Sequence, residues 1–117
     1  MIKPLEYGVI NLDNSTGIGT HFTCYINIPN HKYVYYFDSF GALPPKQIEK
    51  YLKTSGKQIV YNTSQYQPLE SKLCGYYCAF VINEMSRGMS FYDTINKFDM
   101  NDSERNDSMV KKYVKEL

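Results

Sequence analysis

Cys74 stands behind a polar loop and ahead of Gly75, at the head of a segment with helical periodicity. A sulfur there is placed for nucleophilic chemistry. The helix dipole and the N–H groups of a first turn favour a thiolate, and Gly75 leaves space beside it for a substrate backbone. Cys78, one turn later on the apolar stripe, and Cys24, on the apolar face of a strand, read as buried structural thiols. A thiolate nucleophile needs a base, and the chain holds two histidines. His31 falls in a turn and is expected to face solvent. His21 opens a strand directly after a Gly-containing loop, off the apolar face, and can form a Cys–His pair. The imidazole then needs an acceptor to fix its tautomer. Asp38 ends the next strand and lies beside His21 if the two strands form a hairpin. An oxyanion requires donors: a main-chain N–H at Cys74, and the side-chain amide of Gln67, seven residues upstream. Gln65 competes with Gln67 on chemistry alone. Taken singly, these residues also read as a core cysteine, an edge histidine and a turn aspartate; together they make a nucleophilic set.

Other constellations are weaker. Three Cys and two His without a C-x-x-C or H-x-H pair do not read as a zinc site. Gly17-Ile18-Gly19-Thr20-His21 is Gly-rich but lacks the lysine and serine of a phosphate loop. Lys46, Lys50, Lys53 and Lys57 sit close together and read as the solvated face of a helix. A net charge of +1 gives no bulk attraction to nucleic acid or to an acidic membrane.

The elements that must position the set follow from periodicity. Residues 7–12, 21–28, 33–38 and 58–61 read as strands. In the second, Phe22, Cys24, Ile26 and Ile28 face one way and His21, Thr23, Tyr25 and Asn27 the other. Residues 29–32 turn the chain between the second and third strands. Pro44 and Pro45 open a helix to about Thr54 that ends at Gly56. From 74 to 87, Cys74, Tyr77, Cys78, Val81, Ile82 and Met85 form one stripe. Ser90 and Asp93 look like a capping box for a helix over 91–98, and Ser103 is expected to cap a last one. The fold class is therefore α+β: a small mixed or antiparallel sheet packed on helices, in one domain over 1–117. The chain of 117 residues suffices for one core, with 43% apolar residues. Three cysteines at 24, 74 and 78 are no disulfide framework and point to a reducing, intracellular compartment. No run of 18 apolar residues is present, and MIKPLEYG has no apolar signal core.

The sequence resembles the adenovirus maturation proteinase (adenain) family, in the clan that includes the SUMO-deconjugating proteases. The matching pieces are G-I-G-T-H-F around His21, Y-Y-F-D-S-F-G around Asp38, and Q-P-L-E-S-K-L-C-G-Y-Y-C from Gln67 to Cys78. V-I-N at 9–11 is similar to the strand before the family's histidine loop. The order His, acid, Gln, Cys is the clan's order. The step of seven from Gln67 to Cys74 resembles adenain, whereas the SUMO proteases run one residue shorter. The step of seventeen from His21 to Asp38 is also adenain-like. The resemblance covers residues 8–88. Phe22 stands where the family commonly has Trp, and Asp38 where adenoviruses have Glu. The chain is much shorter than adenain and is similar to compact relatives in virophages and large self-replicating transposons.

This resemblance implies a permuted papain-like fold, with His21 as general base, Asp38 as its orienter, Gln67 as oxyanion donor and Cys74 as nucleophile. It implies cleavage of viral or virus-like precursor proteins at Gly-containing sites, in a narrow groove passing Gly19, His21 and Gly75. No cofactor is expected. Precursor polypeptides are the implied substrates, in the virion or in host nucleus or cytoplasm. The family's activating peptide and DNA are further partners by resemblance alone. Removal of a ubiquitin-like modifier, and an inactive peptide-binding or particle-assembly domain, are the competing functions.

Overall fold

A computed structural model describes residues 1–13 and 20–117. Four strands and four helices follow one another as β1 (Glu6–Asp13), β2 (Thr20–Asn27), β3 (Tyr33–Phe37), α1 (Lys46–Lys53), β4 (Gln58–Tyr61), α2 (Cys74–Ser86), α3 (Phe91–Ile95) and α4 (Ser103–Lys115). The sheet runs β1-β2-β3-β4. The first three strands are antiparallel, whereas β4 lies parallel to β3, so the sheet is mixed. A parallel neighbour needs a crossover, and the segment containing α1 supplies it.

Strand alternation sorts the side chains into two cores. Val34, Tyr36, Tyr25 and Ile59 pack with Ile2, Ile48, Tyr51 and Leu52 on the α1 side. Cys24, Ile26, Phe37, Tyr35 and Val60 belong to the larger core with Tyr77, Cys78, Phe80, Val81 and Met85 of α2, Phe91 of α3 and Val110 of α4. The apolar face expected for residues 22–28 is the face that α2 covers. Helix α2 buries more than the single stripe expected, because Phe80 and Glu84 are buried as well.

Several boundaries differ from the sequence reading. Strand β3 stops at Phe37, and Asp38 begins a turn closed by Gly41 N–H to the Asp38 carbonyl at 2.8 Å. Helix α1 begins at Lys46, with Pro45 as its extended N-cap. Helix α3 ends at Ile95, although Ser90 does accept from the Asp93 N–H. Asp102, not Ser103, caps α4 by accepting from Arg105 N–H; a carboxylate is the stronger acceptor at a positive helix end. Lys46, Lys50 and Lys53 are exposed as expected, but Lys57 is half-buried and donates to Asn27 Oδ1 and the Ile28 carbonyl.

Docking of α2 on the other helices is polar as well as apolar. Glu84 meets Lys97 Nζ at 2.5 Å and accepts from Tyr113 Oη at 2.9 Å, and Tyr77 Oη donates to Asp107 at 2.7 Å. Lys97 first, then Tyr113, hold the Glu84 carboxyl below the usual carboxylate range against the opposing effect of burial. A carboxyl lowered in the folded state contributes stability at neutral pH that is lost as pH falls through the carboxylate range. Melting temperature should therefore drop on acidification below about pH 5, and Glu84→Gln should flatten that dependence while lowering stability at pH 7. At Gly41, φ is +78° and a Cβ would lie 2.7 Å from the Thr63 carbonyl oxygen. Gly41→Ala should cost at least about 2 kcal/mol in chemical denaturation, from left-handed strain plus the clash.

Candidate active site

The antiparallel pairing of β2 with β3 matches Cys24 with Phe37. His21 lies three residues before that pair and Asp38 one after it, which makes them diagonal neighbours across the hairpin's open end. Diagonal neighbours are within reach of long side chains. His21 Nε2 lies 2.9 Å from Asp38 Oδ1. Asp38 is buried at 2% exposure, and its Oδ1 also accepts from the Phe40 N–H at 2.8 Å. The Phe40 ring leans on the imidazole at 4.9 Å between centroids. Nδ1 of His21 is buried and has no hydrogen-bond partner among the described residues. One ring nitrogen is thus anchored and the other left for a reacting group, the division of labour a proton-transferring histidine needs.

The aspartate is held by its main chain. Asn62, buried in the loop after β4, accepts from the Asp38 N–H at 3.1 Å and donates to the Asp38 carbonyl at 2.6 Å. Ser39, the next residue, accepts on its carbonyl from the N–H groups of Tyr66 and Gln67.

Cys74 begins α2 and is 5% exposed. Strand β3 pairs with β2 only over Cys24–Asn27, so at Phe22 that flank of β2 meets helix α2 instead of a strand. There the Phe22 N–H donates to Cys74 Sγ at 3.3 Å, and Cys78 Sγ donates to the Phe22 carbonyl at 3.5 Å. Two sulfurs one helical turn apart therefore rest on the residue adjacent to His21. Among the described residues, a Cβ at Gly75 would meet the Phe22 ring at the ordinary contact distance of 3.8 Å, so none of them imposes a steric demand for glycine there. Cys24 and Cys78 are buried in the core at 0% and 1% exposure, as structural thiols should be. Burial first, and then its hydrogen bond with Cys78, push the Cys24 thiol well up.

Gln67 is fully buried. Its Oε1 accepts from Ser39 Oγ at 2.5 Å, and its Nε2 donates to the Ser71 carbonyl at 3.0 Å and Ser71 Oγ at 3.2 Å. Ser71 Oγ in turn accepts from the Leu73 N–H. The carboxamide thus ties the Asp38 turn to the chain entering Cys74, and donation to a substrate oxygen competes with Ser71. Gln65, the competing residue, is exposed and donates to the Gln67 carbonyl. His31 is exposed beside Tyr35, remote from this set in the β2–β3 turn. Gly19 lies outside the described residues. Among the described residues there is no cluster of His, Cys, Asp and Glu able to hold a metal ion, and no helix long and apolar enough to cross a membrane.

Asn62, Ser39, Phe40 and Ser71 were not singled out as site residues in the sequence. Each acts through main-chain atoms or through another side chain, and residue type alone gives no sign of that. The polar composition of loop 62–73 was the one available hint.

No protein-family model and no curated protein matches the chain. The structure is similar to the crystal structure of the ASFV pS273R protease, with a TM-score of 0.64 at 20% identity, over 83% of this chain and 40% of that one. The chain thus spans less than half the length of the protease it matches. What the two share is the fold: a mixed α+β papain-like architecture with its small sheet backed by helices.

Proposed function

We propose that this domain is a cysteine endopeptidase of the adenain type, acting on precursor polypeptides at Gly-containing sites. The observation that carries the reading is the convergence on two adjacent residues. The Cys74 sulfur rests on the Phe22 amide, and the neighbouring His21 is held at 2.9 Å by a buried carboxylate. A fold shared with a viral protease supports it.

In this reading the Cys74 thiol gives its proton to His21, and the sulfur adds to the scissile carbonyl. Main-chain N–H groups at the start of α2 receive the oxyanion, joined by the Gln67 amide once its Nε2 turns from Ser71 to the substrate. The tetrahedral adduct collapses as the imidazolium protonates the leaving amine, leaving a thioester. His21 then takes a proton from water, which attacks the thioester; the C–S bond breaks, the acid is released, and the imidazolium returns the proton to the Cys74 sulfur. Asp38 holds the ring throughout. The substrate backbone runs over Gly75, where the described residues leave space for it.

Three variants test this on peptides containing Gly-X-Gly, with and without candidate activating peptides and DNA. Cys74→Ala should abolish turnover while the chain still folds, with a melting temperature lowered by no more than one lost hydrogen bond costs. Asp38→Asn should lower kcat less, by at most roughly 1,000-fold, since it orients rather than reacts. Gly75→Ala should fold normally and raise KM by about tenfold, the cost of crowding one backbone contact. Full turnover by Cys74→Ala would remove the thiol mechanism outright.

A further inference from the structure

We infer that Cys78, which the proposed reaction leaves unused, is a positioning residue for the Cys74 sulfur, acting through the main chain of Phe22. The inference rests on the protease reading above. An extended residue turns its N–H and C=O to the same side of the strand. Two side chains four residues apart lie on one face of a helix. Phe22 and the pair Cys74 and Cys78 meet in that way: N–H to Cys74 Sγ at 3.3 Å, and C=O from Cys78 Sγ at 3.5 Å. Core packing and the bonds of Tyr77 and Glu84 hold α2 as a whole. The two bonds to one residue add the local register of its first turns on β2, and so set the sulfur relative to the imidazole one residue away.

The direction of the second bond is fixed by chemistry: a carbonyl oxygen only accepts, so the Cys78 S–H donates to it. Cys78 is 1% exposed and Cys24, in the same core, 0% exposed, so this thiol is shielded from water. Without that donor the Phe22 carbonyl, beyond the end of the β3 pairing, would lose its sulfur partner. A buried acceptor left without a partner is costly and pulls the local structure out of register.

The competing description is that Cys78 merely fills apolar volume in the α2 core. The two descriptions rank substitutions in opposite order. Cys78→Ser keeps a donor at lower apolarity, whereas Cys78→Val keeps apolar volume and removes the donor. The measurement is the alkylation rate of Cys74 by iodoacetamide, resolved by mass spectrometry, alongside kcat and KM on the peptide substrate. The serine variant should stay within about twofold of the unsubstituted chain, and the valine variant should alkylate about five- to tenfold more slowly, the weight of one hydrogen bond. The valine variant should also lose kcat with KM unchanged. If the valine variant does not fold, by circular dichroism, Cys78→Ala carries the same comparison with serine. Valine behaving like the unsubstituted chain while serine is impaired, or all variants reacting alike, overturns the positioning role and leaves the protease reading standing. Cys74 alkylating no faster than buried Cys24 in the unsubstituted chain overturns both.

Discussion

The site hangs on the main chain of one strand residue. Phe22 offers its N–H to the sulfur that starts α2, its carbonyl to the sulfur one turn later, and its ring to Gly75 between them. His21 precedes it on the same strand. The Cys74 sulfur and the His21 imidazole are thus linked by a short path of covalent and hydrogen bonds, in addition to the packing of α2 on the sheet. This is possible because β3 leaves the flank of β2 after Cys24, opening a stretch of edge that a helix can take.

The opposite side of the histidine is fixed by a second short path. The β2–β3 register brings Asp38 to the diagonal position, Asn62 clamps its main chain, and Phe40 both donates to its carboxylate and leans its tilted ring on the imidazole. The hydrogen-bonded run Ser39–Gln67–Ser71–Leu73 then closes the circuit from the aspartate turn back to the helix start. Buried polar groups linked in this way hold one arrangement far more sharply than apolar packing does.

Much of this was legible in the sequence because it follows from periodicity. The alternation of residues 21–28 gave the α2-facing side of β2, and a hairpin between two strands is enough to bring residues 21 and 38 to the same end. The apolar spacing from Cys74 onward placed the helix start. What could not be read was whatever depends on tertiary neighbours. The parallel placement of β4 needs knowledge of where the crossover lands, and the end of β3 at Phe37 is set by the turn that Gly41 permits. The donors and acceptors of Asn62, Ser71 and Cys78 go to main-chain atoms that no spacing rule addresses. Cys78 was legible as buried, since it lies on the stripe, but its bond to the Phe22 carbonyl was not. Gln67 was legible as an amide near the cysteine, while its engagement with Ser39 and Ser71 belongs to the folded loop.

The proposed reaction requires the Cys74 sulfur and the His21 imidazole to reach one reacting atom. A crystal structure of the chain covalently trapped with a glycine-containing peptide aldehyde would decide it. The expected structure has a bond from Cys74 Sγ to the aldehyde carbon, with His21 Nδ1 within about 4 Å of the sulfur and Asp38 still on Nε2. Aldehyde attached elsewhere, or an imidazole swung out of reach of the adduct, would contradict it.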